Sequence, residues 1–133
     1  MSNYAKTRYP MIFVHGFGLG FNRIGIDSMG LDYWYQIPQG LAGNGATVFA
    51  AELSAVASNE LRGKQLLMQV DEVLAISGAP KLNLLGHSQG GPTIQYIEAI
   101  APQKVASLTA IAGAMKGTPI MEKDAIVRCL NLC

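Results

Sequence analysis

Gly86-His87-Ser88-Gln89-Gly90 follows directly on the apolar run Leu82-Asn83-Leu84-Leu85, and this junction constrains the chain more than any other stretch. A short apolar run of that kind reads as a buried strand. Behind the junction, Ile94, Ile97, Ile100 and Ala101 repeat at helical spacing, and Pro92 suits a first helical turn, where its missing N–H leaves no bond unmade. A serine in so sharp a strand-to-helix turn sits in a strained backbone conformation. The positions two before and two after it, Gly86 and Gly90, pass close to neighbouring chain and leave no room for a side chain. The bend lifts the Ser88 hydroxyl clear of the sheet and points the following N–H groups at whatever carbonyl it attacks. An ordinary glycine-rich turn shares the spacing, but the order of strand, bend and helix favours a nucleophile.

A second loop complements the first. Residues 9–14 form another apolar run, hence a strand, which ends in His15-Gly16-Phe17-Gly18. A histidine–glycine pair behind the first core strand supplies one backbone N–H to a developing oxyanion, and the residue after the nucleophile supplies the other. The donors are then Phe17 and Gln89. His15 and Gly16 orient that loop, and the turn directs the His87 side chain away from the hydroxyl. A plain glycine loop after a strand is the alternative.

The rest of the chain alternates strands with helices in one domain. A helix is predicted over residues 32–42, stopped by Gly43-Asn44-Gly45, and a strand over 46–51. Ser58 or Asn59 caps a long helix over 60–76, which Gly78 and Pro80 end, with Leu66, Val70, Val73, Leu74 and Ser77 on one face. A strand over 81–85, the elbow helix to residue 101 and a strand over 105–111 complete the series. This alternation implies an α/β fold with a mostly parallel sheet flanked by helices.

Several segments together carry a family resemblance: Tyr4-Ala5-Lys6-Thr7-Arg8-Tyr9-Pro10, the H-G-F-G loop, Gly30-Leu31-Asp32-Tyr33-Trp34-Tyr35, Leu61-Arg62-Gly63-Lys64-Gln65-Leu66-Leu67 and the elbow. In order and spacing they resemble the secreted bacterial triacylglycerol lipases of the Pseudomonas, Burkholderia and Acinetobacter type. The resemblance runs from about residue 4 to 109 and implies the amino-terminal half of an α/β-hydrolase. It also implies Ser88 as nucleophile, a lipid ester substrate at an oil–water interface, secretion, and a lipase-specific folding chaperone as partner. In similar lipases the arginine at Arg62 helps hold the oxyanion loop; a solvated arginine at a helix start is the other reading.

A serine of this class needs a histidine base and an acid, which follow it in chain order. Both histidines, His15 and His87, precede Ser88. The family's T-x-x-G-x-P-H-[KR]-G-[ST] stretch keeps Lys116-Gly117-Thr118 but has Ala114-Met115 in place of P-H. The reading is therefore a partial hydrolase domain over residues 1–119 and an unmatched tail over 120–133, as in a truncated or frameshifted lipase. The catalytic acid, the histidine, the lid and the calcium site of similar lipases lie beyond this region, so no cofactor or metal is expected in this chain. A catalytically silent fragment or interaction module is the rival function.

The remaining features add little chemistry. Cys129 and Cys133, the only cysteines, lack further ligands for a metal site and read as incidental thiols. The disulfide of similar lipases lies in the missing region. Asp32-Tyr33-Trp34-Tyr35 reads as core or, alternatively, as an acyl-binding wall. A net charge of +1 over 133 residues speaks against a nucleic-acid partner, and no apolar run is long enough to span a membrane. The start lacks a basic region followed by an apolar stretch, so a mature exported portion or a cytosolic form are both consistent with it.

Overall fold

The computed structural model describes residues 2–17, 23–24, 31–113 and 115–116. Most of the glycine loop over 18–30, and the tail with both cysteines, lie outside the described residues. Strand β1 (Met11–Val14) is followed by β2 (Arg23–Ile24), β3 (Leu31–Asp32), helix α1 (Ile37–Gly43), β4 (Val48–Ala50), α2 (Asn59–Ser77), β5 (Leu82–His87), α3 (Gly90–Ile100) and β6 (Val105–Ile111). The main sheet has the order β4-β1-β5-β6, and all its pairings are parallel. Parallel neighbours need a crossover, and the intervening helices supply it.

Side-chain alternation divides the core. Ile12 and Val14 of β1, with Leu82 and Leu84 of β5, face Leu66, Val70 and Val73 of α2 and Ile94 and Ile97 of α3. Met11 and Phe13 point the other way, into a smaller cluster with Trp34 and Ala46. Phe13 meets Trp34 edge-on, with centroids 5.0 Å apart. The sheet is thus clothed on both faces at β1, as a parallel strand requires.

Local chemistry sets the helix boundaries. The Ser58 side chain accepts from Leu61 N–H at 3.2 Å, capping α2, and Gly78 at φ 67 ends it in the left-handed region. Two expectations need correction. The helix predicted from residue 32 begins only at Ile37, because residues 31–32 pair antiparallel with β2. Gln36 at φ 59 interrupts any helical run, and the proline next to Ile37 then fits the first turn. Ser77, expected on the inner face of α2, is exposed in its last turn, beside the left-handed cap.

Strand β6 lies at the edge of the sheet, paired in the described residues with β5 alone. Its sequence, Val-Ala-Ser-Leu-Thr-Ala-Ile, has no charge and no proline, and most of it is exposed. An uncharged, exposed edge strand templates pairing with other chains. The 133-residue chain is expected to self-associate as its concentration rises in sedimentation velocity. Thr109→Lys, a charge on the exposed edge, should shift the distribution toward monomer; a parent chain that stays monomeric throughout would refute this.

Candidate active site

Ser88 occupies the bend between β5 and α3 at φ 53, in the left-handed region that non-glycine residues avoid. Its N–H donates to Ile111 O at 3.0 Å, and its carbonyl accepts from Gly91 N–H at 3.0 Å. The flanking glycines have a steric cause. A Cβ on Gly86 would stand 2.3 Å from Gly90 O, and one on Gly90 would stand 2.3 Å from Val14 O. Both obstacles are backbone, so neither can step aside.

The loop after β1 lies beside this bend. A Cβ on Gly16 would fall 2.8 Å from Ser88 Cβ. Phe17 is exposed, whereas His15 and Gly16 are buried. Within the Gly16–Phe17 peptide, the carbonyl and the N–H point in opposite directions because the bond is trans. Gly16 O is held inward by two donors, Arg62 Nη1 at 3.1 Å and His15 Nδ1 at 3.0 Å. The Phe17 N–H is therefore turned outward. The Ser88–Gln89 peptide follows the same logic, its carbonyl tied to Gly91 N–H. Neither the Phe17 nor the Gln89 amide has an acceptor among the described residues. Gln89 also precedes the first turn of α3, where helix N–H groups attract negative charge.

Arg62 organises this region. It is fully buried, not solvated, although it lies in the first turns of α2. Nη1 donates to Gly16 O and, at 2.5 Å, to Gln89 Oε1, while Nη2 donates to His15 O in a short bond. Burial lowers its pKa to about 10, against an upward pull from Tyr33, so it remains a cation at neutral pH. The Gln89 amide nitrogen in turn donates to Ala57 O at 3.1 Å and Asn59 Oδ1 at 3.2 Å. One guanidinium thus joins the loop after β1, the start of α2 and the residue behind Ser88.

Both histidines are committed elsewhere. His15 Nε2 accepts from Leu53 N–H at 3.0 Å, which leaves the proton on Nδ1 for Gly16 O. Burial pushes its pKa below the usual histidine value, and the Arg62 charge adds to that; the bonds to Gly16 and Leu53 and the charge of Glu52 pull the other way. His87 Nδ1 lies 2.5 Å from the Tyr33 hydroxyl. The structure therefore brings together Ser88, Phe17, Gln89, His15, Gly16, Gly86, His87, Gly90 and Arg62, but puts neither histidine on the serine. No group of three or more His, Cys, Asp or Glu side chains among the described residues is placed to hold a metal ion.

Tyr33 is the member that local sequence spacing leaves unseen. Read as core or acyl wall, its ring does pack with Trp34, at a centroid distance of 5.2 Å. Its hydroxyl, however, accepts from Gly16 N–H at 2.9 Å. The partner is distant in the chain, so no spacing rule reveals it.

A strained serine in a strand-to-helix bend on a parallel sheet, with helices on both faces and a histidine–glycine loop beside it, is the architecture of an α/β-hydrolase. The chain belongs to the alpha/beta hydrolase fold family, whose sequence model matches residues 9–129. It is 48% identical over 119 residues to a triacylglycerol lipase of Vibrio cholerae, covering 90% of this chain and 36% of that protein. A triacylglycerol lipase of Pseudomonas fragi is 42% identical over 123 residues, covering 92% and 40%. The chain thus spans well under half the length of these relatives. Among solved structures, the mature Bacillus licheniformis lipase BlEst2 superposes with a TM-score of 0.65 at 21% identity, covering 94% of this chain and 49% of that one, a likeness of fold.

Two measurements test this network. Arg62→Met leaves the His15 and Gly16 carbonyls and Gln89 Oε1 short of a buried donor, and should lower unfolding stability in urea by about 2–4 kcal/mol. A change under about 0.5 kcal/mol would show that the guanidinium carries little of the fold. For His15, the folded chain holds the lowered pKa, so the unfolded chain binds more protons near and below the ordinary value of 6.5. The histidine contribution is complete above about pH 6.5 and is lost as pH falls toward the folded pKa. His15→Gln should flatten that part of the stability profile; an unchanged slope would contradict the assignment.

Proposed function

We propose that this chain is the nucleophile-bearing portion of a triacylglycerol lipase, a carboxylic ester hydrolase acting through an acyl-enzyme. The observation that supports it most is Ser88, held in left-handed strain between β5 and α3, beside the amides of Phe17 and Gln89, which have no acceptor among the described residues. Ser88 Oγ attacks the ester carbonyl and loses its proton to a base. The carbonyl oxygen takes up the negative charge and accepts from the Phe17 and Gln89 N–H groups. Collapse expels the alcohol, which takes a proton, and water then releases the fatty acid from Ser88. The Arg62 cation, through Gly16 O, polarises the peptide that carries the Phe17 donor.

The similar proteins of Vibrio and Pseudomonas carry the name triacylglycerol lipase, which favours a lipid ester, a triacylglycerol at an oil–water interface, as substrate. By the same likeness the protein is secreted and folds with help from a lipase-specific chaperone. The base and acid belong to sequence beyond the third of a lipase that this chain matches, as would any calcium site. No helix among the described residues is long and apolar enough to cross a membrane.

A second reading, a catalytically silent fragment or interaction module, is favoured by one observation: both histidines are bonded away from Ser88. Hydrolysis of p-nitrophenyl butyrate by the chain and by Ser88→Ala separates the two. Without a triad base, the parent rate should fall orders of magnitude below that of a complete lipase, yet exceed that of the alanine variant. Equal rates for the two would establish the silent fragment.

A further inference from the structure

Tyr33 is joined to both halves of the site. Its hydroxyl oxygen accepts from Gly16 N–H at 2.9 Å and lies 2.5 Å from His87 Nδ1. A phenol has one proton to give and lone pairs to accept with. With one lone pair taken by Gly16, the arrangement that satisfies all three groups sends the phenolic proton to His87 Nδ1. The His87 proton then resides on Nε2. If Nδ1 were instead the donor, the phenolic proton would find no acceptor among the described residues.

The same hydroxyl completes a grip on the loop. The His15–Gly16 peptide is held at its carbonyl by Arg62 Nη2 and at its N–H by Tyr33. The next peptide carries the Phe17 N–H and is held at its own carbonyl, Gly16 O, by Arg62 Nη1 and His15 Nδ1, so Tyr33 fixes the peptide from which this donor is hung. On the other side, the His87 ring packs against Tyr33 and Trp34 at centroid distances of 5.7 and 6.1 Å. His87 is the residue before Ser88. A Cβ at Gly16 would meet Tyr33 Oη at 2.9 Å and Ser88 Cβ at 2.8 Å, so hydroxyl, loop and nucleophile converge at one point.

We infer that Tyr33 is a positioning residue: its hydroxyl locks the oxyanion loop to the nucleophile elbow and fixes His87 as the Nε2–H tautomer. The assignment rests on the reading of Ser88 and Phe17 proposed above. A ring that served only as packing would not need the hydroxyl, and phenylalanine would replace it without consequence at Gly16 or His87.

Nitrogen-15 NMR of the histidines, with amide exchange, tests this on the 133-residue chain. In the parent, the two histidines should carry opposite tautomers, Nδ1–H at His15 and Nε2–H at His87. In Tyr33→Phe, His87 should lose its single tautomer and the Gly16 amide should exchange roughly five- to tenfold faster, the effect of one lost hydrogen bond. His15 should keep its tautomer, which reports that the variant is folded. A parent His87 protonated on Nδ1, or a Gly16 amide unaffected in the folded variant, overturns the inference. Where Tyr33→Phe does not fold, the parent tautomer decides alone. Because none of these signals needs turnover, a Ser88→Ala variant as active as the parent would sink the hydrolase reading without altering them.

Discussion

Arg62 carries its guanidinium from the beginning of α2 into the centre of the molecule, where it finds carbonyl oxygens and a side-chain amide. Burying a cation in this way is costly unless its donors are used. Nη1 and Nη2 are used on three acceptors, while Nε has no partner among the described residues. The planar fork matches these acceptors, since two nitrogens at a set angle hold two successive carbonyls, His15 and Gly16, at once. A lysine offers a single point of charge and cannot reproduce that geometry. Because the acceptors include the carbonyl of the Gly16–Phe17 peptide, this buried charge, together with His15 Nδ1, sets where the Phe17 N–H points. The orientation of the loop after β1 therefore depends on helix α2 as well as on the loop's own His15.

The elbow depends on a different constraint, that of close approach. Gly86 lies against Gly90 O, and Gly90 lies against Val14 O, so β5, α3 and β1 meet backbone to backbone around Ser88. The cost falls on Ser88, which adopts a left-handed conformation, and the Ile111 carbonyl holds its N–H in place. Strain and clearance combine to set a half-buried serine at the end of a strand whose alternate residues are buried. Tyr33 then fastens the bend to the neighbouring loop through Gly16 and His87, which makes the two loops a single piece.

Much of this is legible in the residue order. Strand β6 has the limits that its apolar run predicts, and the Ser58 cap and Gly78 stop of α2 fall where their side-chain and backbone chemistry place them. Helix α1 starts several residues later than its sequence pattern predicts, since the aromatic run before it joins a turn behind the small β2–β3 pairing, a tertiary pairing that propensity does not report. Ser77 reads as inward because helical periodicity continues on paper past the point where the terminal turn leaves the core. In the site, Ser88 and the histidine–glycine loop carry local spacing and can be named in advance. The Tyr33 hydroxyl carries none.

What the sequence determined alone is everything that short-range sterics can dictate: apolar alternation for strands, helical repeats, capping chemistry, and the glycine pair without which the bend at Ser88 cannot close. The fold decided the rest. Whether Arg62 was solvated or buried, which nitrogen of each histidine bears the proton, and what the Tyr33 hydroxyl serves depend on partners 17 to 54 residues away. Such contacts exist only once parallel strands and their crossover helices have brought distant loops to the same end of the sheet, and no window along the chain contains them.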